Sequence, residues 1–200
     1  MSVFKEIDCT VKLGNLTCLK TLVLDSLSAF VVDDNVLAAL SALPNLKHLR
    51  MSDILGITAE SLFHLRQSSL RILVLHNCRL TDESLLAISG ILQLEHLSMD
   101  ENDRVTSIGF QHLKNLSRLR GLYVNKCNIN DESLAAICCI ANLEILRISG
   151  NSQVTFQGVT NFEHLLHLKF ASYDFFGHEY VCLKRGVDWR TLVDRLPNFA

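Results

Sequence analysis

The sequence predicts an α/β solenoid, with a curved parallel sheet on the concave side and helices on the convex side. Three observations predict it. A Leu-x-x-Leu-x-Leu segment opens at Leu19, Leu46, Leu70, Leu94, Leu119, Leu143 and Leu165, at spacings of 27, 24, 24, 25, 24 and 22 residues. Each central segment leads to a turn residue, a helix N-cap and an apolar pair three apart. The composition also supplies a core: 200 residues are 48% hydrophobic and 20% charged, with only 2 prolines and 9 glycines, and the mean hydropathy is +0.23. Those values exclude disorder, fibrous repeats and long linkers, and the length fits one continuous fold.

Within a repeat, alternation defines the strand. Leu73 and Leu75 share one face, while Ile72, Val74 and His76 share the other. Eight residues after each opening leucine stand Leu27, Ile54, Cys78, Asn102, Cys127, Asn151 and Tyr173, at the turn leaving the strand. An Asn here is suited to bond buried backbone groups of neighbouring turns, and a Cys to fill a small buried space. Phe170 falls at the inward anchor position of the last strand and is expected in the core.

The helix follows. Thr58, Thr81, Thr106, Asn130 and Thr155 are N-cap candidates, with Glu60, Asp82, Glu83, Asp131 and Glu132 in the first turns. Leu62 with Leu65, Leu85 with Ile88, Phe110 with Leu113, Leu134 with Ile137 and Val159 with Phe162 form one stripe for packing onto the strands. The repeats alternate, since LVLHNCRLTDESLLAI resembles LYVNKCNINDESLAAI and LSMDENDRVTSIGF resembles LRISGNSQVTFQGV. Duplication of a two-repeat unit of 49 residues, Leu70 to Leu119, accounts for this.

A solenoid exposes apolar faces at both ends, which must be covered. Residues 1–18 are read as an N-terminal cap, 19–172 as about seven repeats and 173–200 as a C-terminal cap. Phe4, Ile7 and Cys9 repeat the anchor spacing as a degenerate strand, and Asp188 to Leu196 reads as a helix stopped by Pro197. The aromatics Tyr173, Phe175, Phe176 and Tyr180 are expected to cover the last repeat, with partner docking as the alternative.

Residues 19 to about 172 resemble the leucine-rich repeat superfamily, in particular its cysteine-containing subtype. The resemblance rests on the LxxLxLxxC pattern of Leu70 to Cys78, followed by Leu80, Thr81 and Asp82 as an (I/L)TD helix start. The best-known members of that subtype pair the array with an F-box and select substrates for ubiquitin ligases. This chain has about 18 residues before its first repeat, too few for an F-box, and its repeats are shorter than is usual there. The resemblance implies the fold. Short arrays of protozoan and bacterial proteins are similar as well.

Nineteen basic against 21 acidic residues give a net charge of -2, which removes the electrostatic footprint of a nucleic-acid binder. No apolar run is long enough to span a bilayer, and the first residues lack the pattern of a signal peptide, so neither nucleic acid nor membrane is an expected partner. The 7 cysteines form no CxxC pair and no even framework, which fits a reducing compartment, cytoplasmic or nuclear. The adjacent Cys138 and Cys139 are expected as free thiols. No nucleophile elbow, phosphate loop or HExxH is present, and no enzyme activity, cofactor or metal is expected. His48, His76, His96 and His167 fall at outward strand positions, and a metal site there is set aside because no spacing enforces a ligand geometry.

The expected functional surface is the concave sheet, represented by His48, Arg50, Val74, His76, His96, Asp100, Tyr123, Asn125, Arg147 and Lys169. Arg and Tyr are common interface anchors, and Arg50, Tyr123 and Arg147 share one position of their strands. Function is read as a noncatalytic protein-interaction scaffold, a substrate-recognition or assembly subunit whose partner is another protein. The alternative is a secreted or surface pathogen-type repeat protein that binds a host protein or glycan.

Overall fold

The computed structural model describes residues 16–25, 34–175 and 178–183. One sheet runs in chain order through β1 (Thr21–Asp25), β2 (His48–Ser52), β3 (Ile72–His76), β4 (His96–Ser98), β5 (Gly121–Tyr123), β6 (Ile145–Arg147), β7 (Phe170–Phe175) and β8 (His178–Leu183). The first seven strands are parallel, and β8 pairs antiparallel with β7. The eighth strand lies beyond the seven-stranded parallel sheet expected from the repeats, and β7 runs across the expected 172/173 boundary. Helices α1 (Asp34–Ser41), α2 (Ala59–Phe63), α3 (Asp82–Ile88), α4 (Ser107–His112), α5 (Asp131–Ile137) and α6 (Phe156–Val159) occupy the other side. Among the described residues no helix is long and apolar enough to cross a membrane. The expected caps at Phe4, Ile7 and Cys9 and at Asp188 to Leu196 lie outside the described residues.

The parallel register stacks Leu49, Leu73, Leu97, Leu122, Leu146 and Ala171 in one buried row. Met51, Leu75, Met99, Val124, Ile148 and Tyr173 form a second, two residues further along each segment. The apolar pairs of the helices, from Leu62 and Leu65 to Val159 and Phe162, close this core from the convex side and are all buried. The helices start where the sequence places them. Thr58 Oγ1 accepts from Ser61 N–H at 3.1 Å, and Thr58 N–H donates back to Ser61 Oγ at 3.0 Å. Asn130 Oδ1 accepts from Ser133 N–H at 2.9 Å.

The turn after each strand holds the least obvious problem. Its backbone donors are buried but have passed the end of the sheet, so no strand is opposite them. Asn102 solves it for two repeats at once. Its Oδ1 accepts from Cys78 N–H and Leu80 N–H, both at 3.0 Å, while its Nδ2 donates to Leu75 O at 2.8 Å and Met99 O at 2.7 Å. Asn151 repeats the arrangement on Cys127 N–H, Ile129 N–H, Val124 O and Ile148 O. The thiols of Cys78 and Cys127 reach back to Met51 O and Met99 O at 3.4 and 3.2 Å. Outside this ladder the strands exit through left-handed residues at Asp53, Asn77, Glu101, Lys126 and Gly150, the last with φ of 76°.

The convex side is tied with the same two-repeat period. Asp82, the first residue of α3, accepts from Thr106 N–H at 2.8 Å and Thr106 Oγ1 at 2.6 Å, and Asp131 of α5 does the same for Thr155. Gly109 and Gly158 leave the space for those carboxylates, since a Cβ at either would overlap the Asp Oδ1.

The seventh repeat departs from its expected frame. Leu146 pairs with Ala171 and Arg147 with Ser172, so the inward anchors are Ala171 and Tyr173 rather than Leu168 and Phe170. Six of the seven repeats carry an apolar residue three before the opening leucine, and Leu165 is that residue: Leu168 N–H bonds Leu165 O as Leu143 N–H bonds Ile140 O. Leu165, Leu168 and Phe170 thus imitate the motif three residues early, while one true anchor is only alanine. In consequence Tyr173 is buried against Phe162, edge to face at 6.1 Å, and Phe170 stands half-buried on the concave side.

Leu122→Ala removes a fully buried side chain from the centre of the stack, and chemical denaturation should show a loss of roughly 2–5 kcal/mol. Asn102→Ala strands two donors and two acceptors, and should destabilise by on the order of 3 kcal/mol although it removes almost no apolar surface.

The buried thiols add a pH dependence. Burial pushes Cys78 up to about 11 and Cys127 and Cys138 up to about 12 from an ordinary 9.0. Their raised values favour the folded state fully below pH 9.0, and that contribution is lost as pH rises toward about 11 to 12. The denaturation midpoint should therefore fall across this window, by on the order of 1 kcal/mol per thiol per pH unit, and a variant with all three changed to Ala should show a shallower fall.

Candidate functional site

Register converts the repeat positions into rows across the concave sheet. One row is Thr21, His48, Ile72, His96, Gly121, Ile145 and Phe170; the next is Val23, Arg50, Val74, Ser98, Tyr123, Arg147 and Ser172. Arg50, Tyr123 and Arg147 do share a row. Tyr123 and Arg147 are neighbours, whereas Arg50 is three strands from Tyr123, about 14 Å at ordinary strand spacing.

Three clusters result. At the N-terminal side, Arg50 Nε lies 2.9 Å from Asp25 Oδ2 and His48 Nδ1 lies 3.3 Å from Thr21 Oγ1. Ile72 separates His48 from His96, and Val74 beside it is half-buried, leaving a small apolar strip.

In the middle, His76 Nε2 is hydrogen bonded to Ser98 Oγ at 2.6 Å and lies 3.9 Å from Asp100 Oδ2. Asp100 accepts from Asn125 N–H at 2.9 Å and from Asn125 Nδ2 at 3.2 Å, and Asn125 Oδ1 accepts from Ser149 N–H at 2.8 Å. Asp100 and Asn125 are thus committed to one another across two repeats. His76 sits at the far end of its strand from the row of His48 and His96, so the three imidazoles do not converge.

Toward the C-terminal side, the Arg147 guanidinium stands 5.6 Å from the Tyr123 ring centroid and 5.2 Å from that of Phe170. His96 and Tyr123 lean over Gly121, where a Cβ would overlap His96 Nδ1. The band from His96 through Tyr123 and Arg147 to Phe170 is the most concentrated set of aromatic and cationic groups on this face.

Lys169 is not where the sequence frame put it. It precedes β7, and its Nζ donates to Glu144 Oε2 at 2.6 Å. It belongs to a charged row at the N-terminal ends of the strands, in which Arg71 meets Glu95 at 3.4 Å and Arg120 meets Glu144 at 3.8 Å. The hydrogen bond from Lys169 holds the Glu144 carboxyl below the usual carboxylate range. Arg118, Arg120, Glu95, Glu144 and the exposed His167 line an open groove of about 450 Å³ at this edge of the sheet. The concave positions do not include this groove, although the residues after the opening leucines mark it, with charge alternating from Arg71 through Glu95 and Arg120 to Glu144. Phe170 was hidden by the frame error of the last repeat.

The fold and its concave sheet define a leucine-rich repeat solenoid. Internalin C2 of Listeria monocytogenes has a similar structure, 17% identical with a TM-score of 0.52, over 81% of this chain and 74% of that one. Rad7 in the yeast Rad7–Elc1 complex is 16% identical with a TM-score of 0.48, over 81% of this chain and 58% of its own. A second Listeria monocytogenes internalin, inlF, is 17% identical with a TM-score of 0.30, over 83% of this chain and 64% of its own. No protein-family model matches the chain, and no curated protein matches it significantly.

Proposed function

We propose that this chain is a noncatalytic scaffold that binds a partner protein on its concave sheet, as a substrate-recognition or assembly subunit. The single observation that carries the reading is the band of His96, Tyr123, Arg147 and Phe170, where side chains typical of interface anchors are gathered on a rigid parallel sheet. Backbone strands hold such groups in place before binding, which lowers the cost of ordering them. His48, Arg50 and Val74 extend the surface toward β1, and His76, Asp100 and Asn125 form its polar margin. In this reading residues 1–18 and 173–200 cap the array of residues 19–172.

The free thiols support a reducing compartment, cytoplasmic or nuclear. Cys18 and Cys139 are exposed and unpaired, a hazard under oxidising conditions.

The test begins with partner capture by crosslinking in extracts, followed by binding measurements on purified variants. Arg50→Ala, Tyr123→Ala and Arg147→Ala should each weaken the captured partner, by roughly 2 kcal/mol at the strongest anchor, with melting temperatures unchanged. Lys114→Ala on the helical side should leave binding intact. Dominance of Lys114 or of the C-terminal aromatics would move the site off the concave sheet.

A further inference from the structure

The cations aligned on and beside the sheet differ in what holds them. Arg50 faces Asp25, Arg71 faces Glu95, Arg120 and Lys169 share Glu144, and Lys126 meets Glu101. Arg147 has no carboxylate within ion-pair distance among the described residues; its two contacts are aromatic faces. Contacts to ring faces at 5.2 and 5.6 Å occupy none of the guanidinium N–H donors, which remain available to a partner.

We propose that Arg147, held between Tyr123 and Phe170, receives a carboxylate from an acidic segment of the partner protein, with apolar residues beside that acid packing on the two rings and Ile145. The proposal rests on the concave-face reading and names the chemistry that this face selects.

The surroundings favour this occupant. Tyr123, Ile145 and Phe170 are half-buried and present apolar surface on both sides of an exposed cation. Peptides that combine an acid with apolar neighbours match that pattern, and the planar fork of arginine matches a carboxylate with two parallel hydrogen bonds. A nucleic-acid backbone fits less well. It needs several cations in line, yet Arg147 is flanked along its row by Tyr123 and Ser172, and the acids Asp100 and Glu101 follow β4, two strands away.

The experiment uses a phage-displayed random-peptide library panned on the full chain, with enriched peptides then synthesised with a fluorescent label for anisotropy titrations. Enriched sequences should carry Asp or Glu next to apolar residues. Arg147→Gln should weaken them about tenfold or more. Arg147→Glu, panned separately, should enrich Lys- or Arg-containing peptides instead. Equal melting temperatures for both variants verify that folding is unaffected, and Arg147→Lys serves as a conservative second variant that retains charge and part of the affinity.

Peptides without acids, peptides that bind Arg147→Glu as tightly as the unaltered chain, or no enrichment at all overturn the carboxylate assignment. Peptides that ignore Arg147→Gln but are lost in Tyr123→Ala or Arg50→Ala overturn it while the concave-face reading survives. Peptides indifferent to all of these substitutions overturn both.

Discussion

A parallel solenoid must satisfy backbone groups that its own sheet cannot reach. The strands are only three to five residues long over most of the array, and each then bends into a buried turn. Leaving several amides unpaired there would cost about as much as losing a leucine anchor. Asn102 and Asn151 meet this demand, each with one oxygen shared by two N–H groups of the preceding turn and one amide nitrogen shared by carbonyls of two repeats. This bridging sets the spacing and register on which the leucine rows depend.

The alternation of cysteine and asparagine repeats follows from the same constraint. A cysteine turn supplies donors that the next asparagine accepts, while its thiol returns one weak bond to the repeat before it. On the convex side, Asp82 and Asp131 join the same two repeats through Thr106 and Thr155. Side-chain bonds also join one pair to the next, through Asp100 with Asn125, Glu101 with Lys126 and the Cys127 thiol with Met99 O. A unit of 49 residues that satisfies its own turn is also one whose duplication lengthens the array without opening a new defect.

Regular stacking has a further consequence for the surface. Whatever occupies one strand position is set beside its counterparts at about 4.8 Å, so charge and aromatic character add up along rows. At the strand entrances this yields mutually neutralising pairs, Arg71 with Glu95 and Arg120 with Glu144 and Lys169. Exposed pairs of that kind add little stability, and they neutralise that edge from Arg71 onward. On the concave row the neighbours of Arg147 are rings rather than acids, so its charge faces outward. The same geometry that builds the core therefore sets paired charges at one edge and an exposed guanidinium on the concave face.

Hydrophobic period, cap chemistry and turn residues are local properties, and they made the solenoid legible in the amino-acid sequence. The strand faces at Leu73 and Leu75, the N-caps from Thr58 to Thr155 and the burial of Cys78 and Cys127 all depend on residues within one repeat, where spacing alone decides which side chains turn inward. The frame of the last repeat was not local. Leu165, Leu168 and Phe170 satisfy the motif as well as the true set, and only pairing of β6 with β7 chose Ala171 and Tyr173 as anchors. That choice moved Lys169 to the edge and brought Phe170 beside Arg147. Similarly, the row containing Arg50, Tyr123 and Arg147 was readable by counting, but their partners were not. Asp25 for Arg50 and two aromatic rings for Arg147 lie on other strands, and contacts between strands are fixed by register and packing, which no single segment of sequence contains.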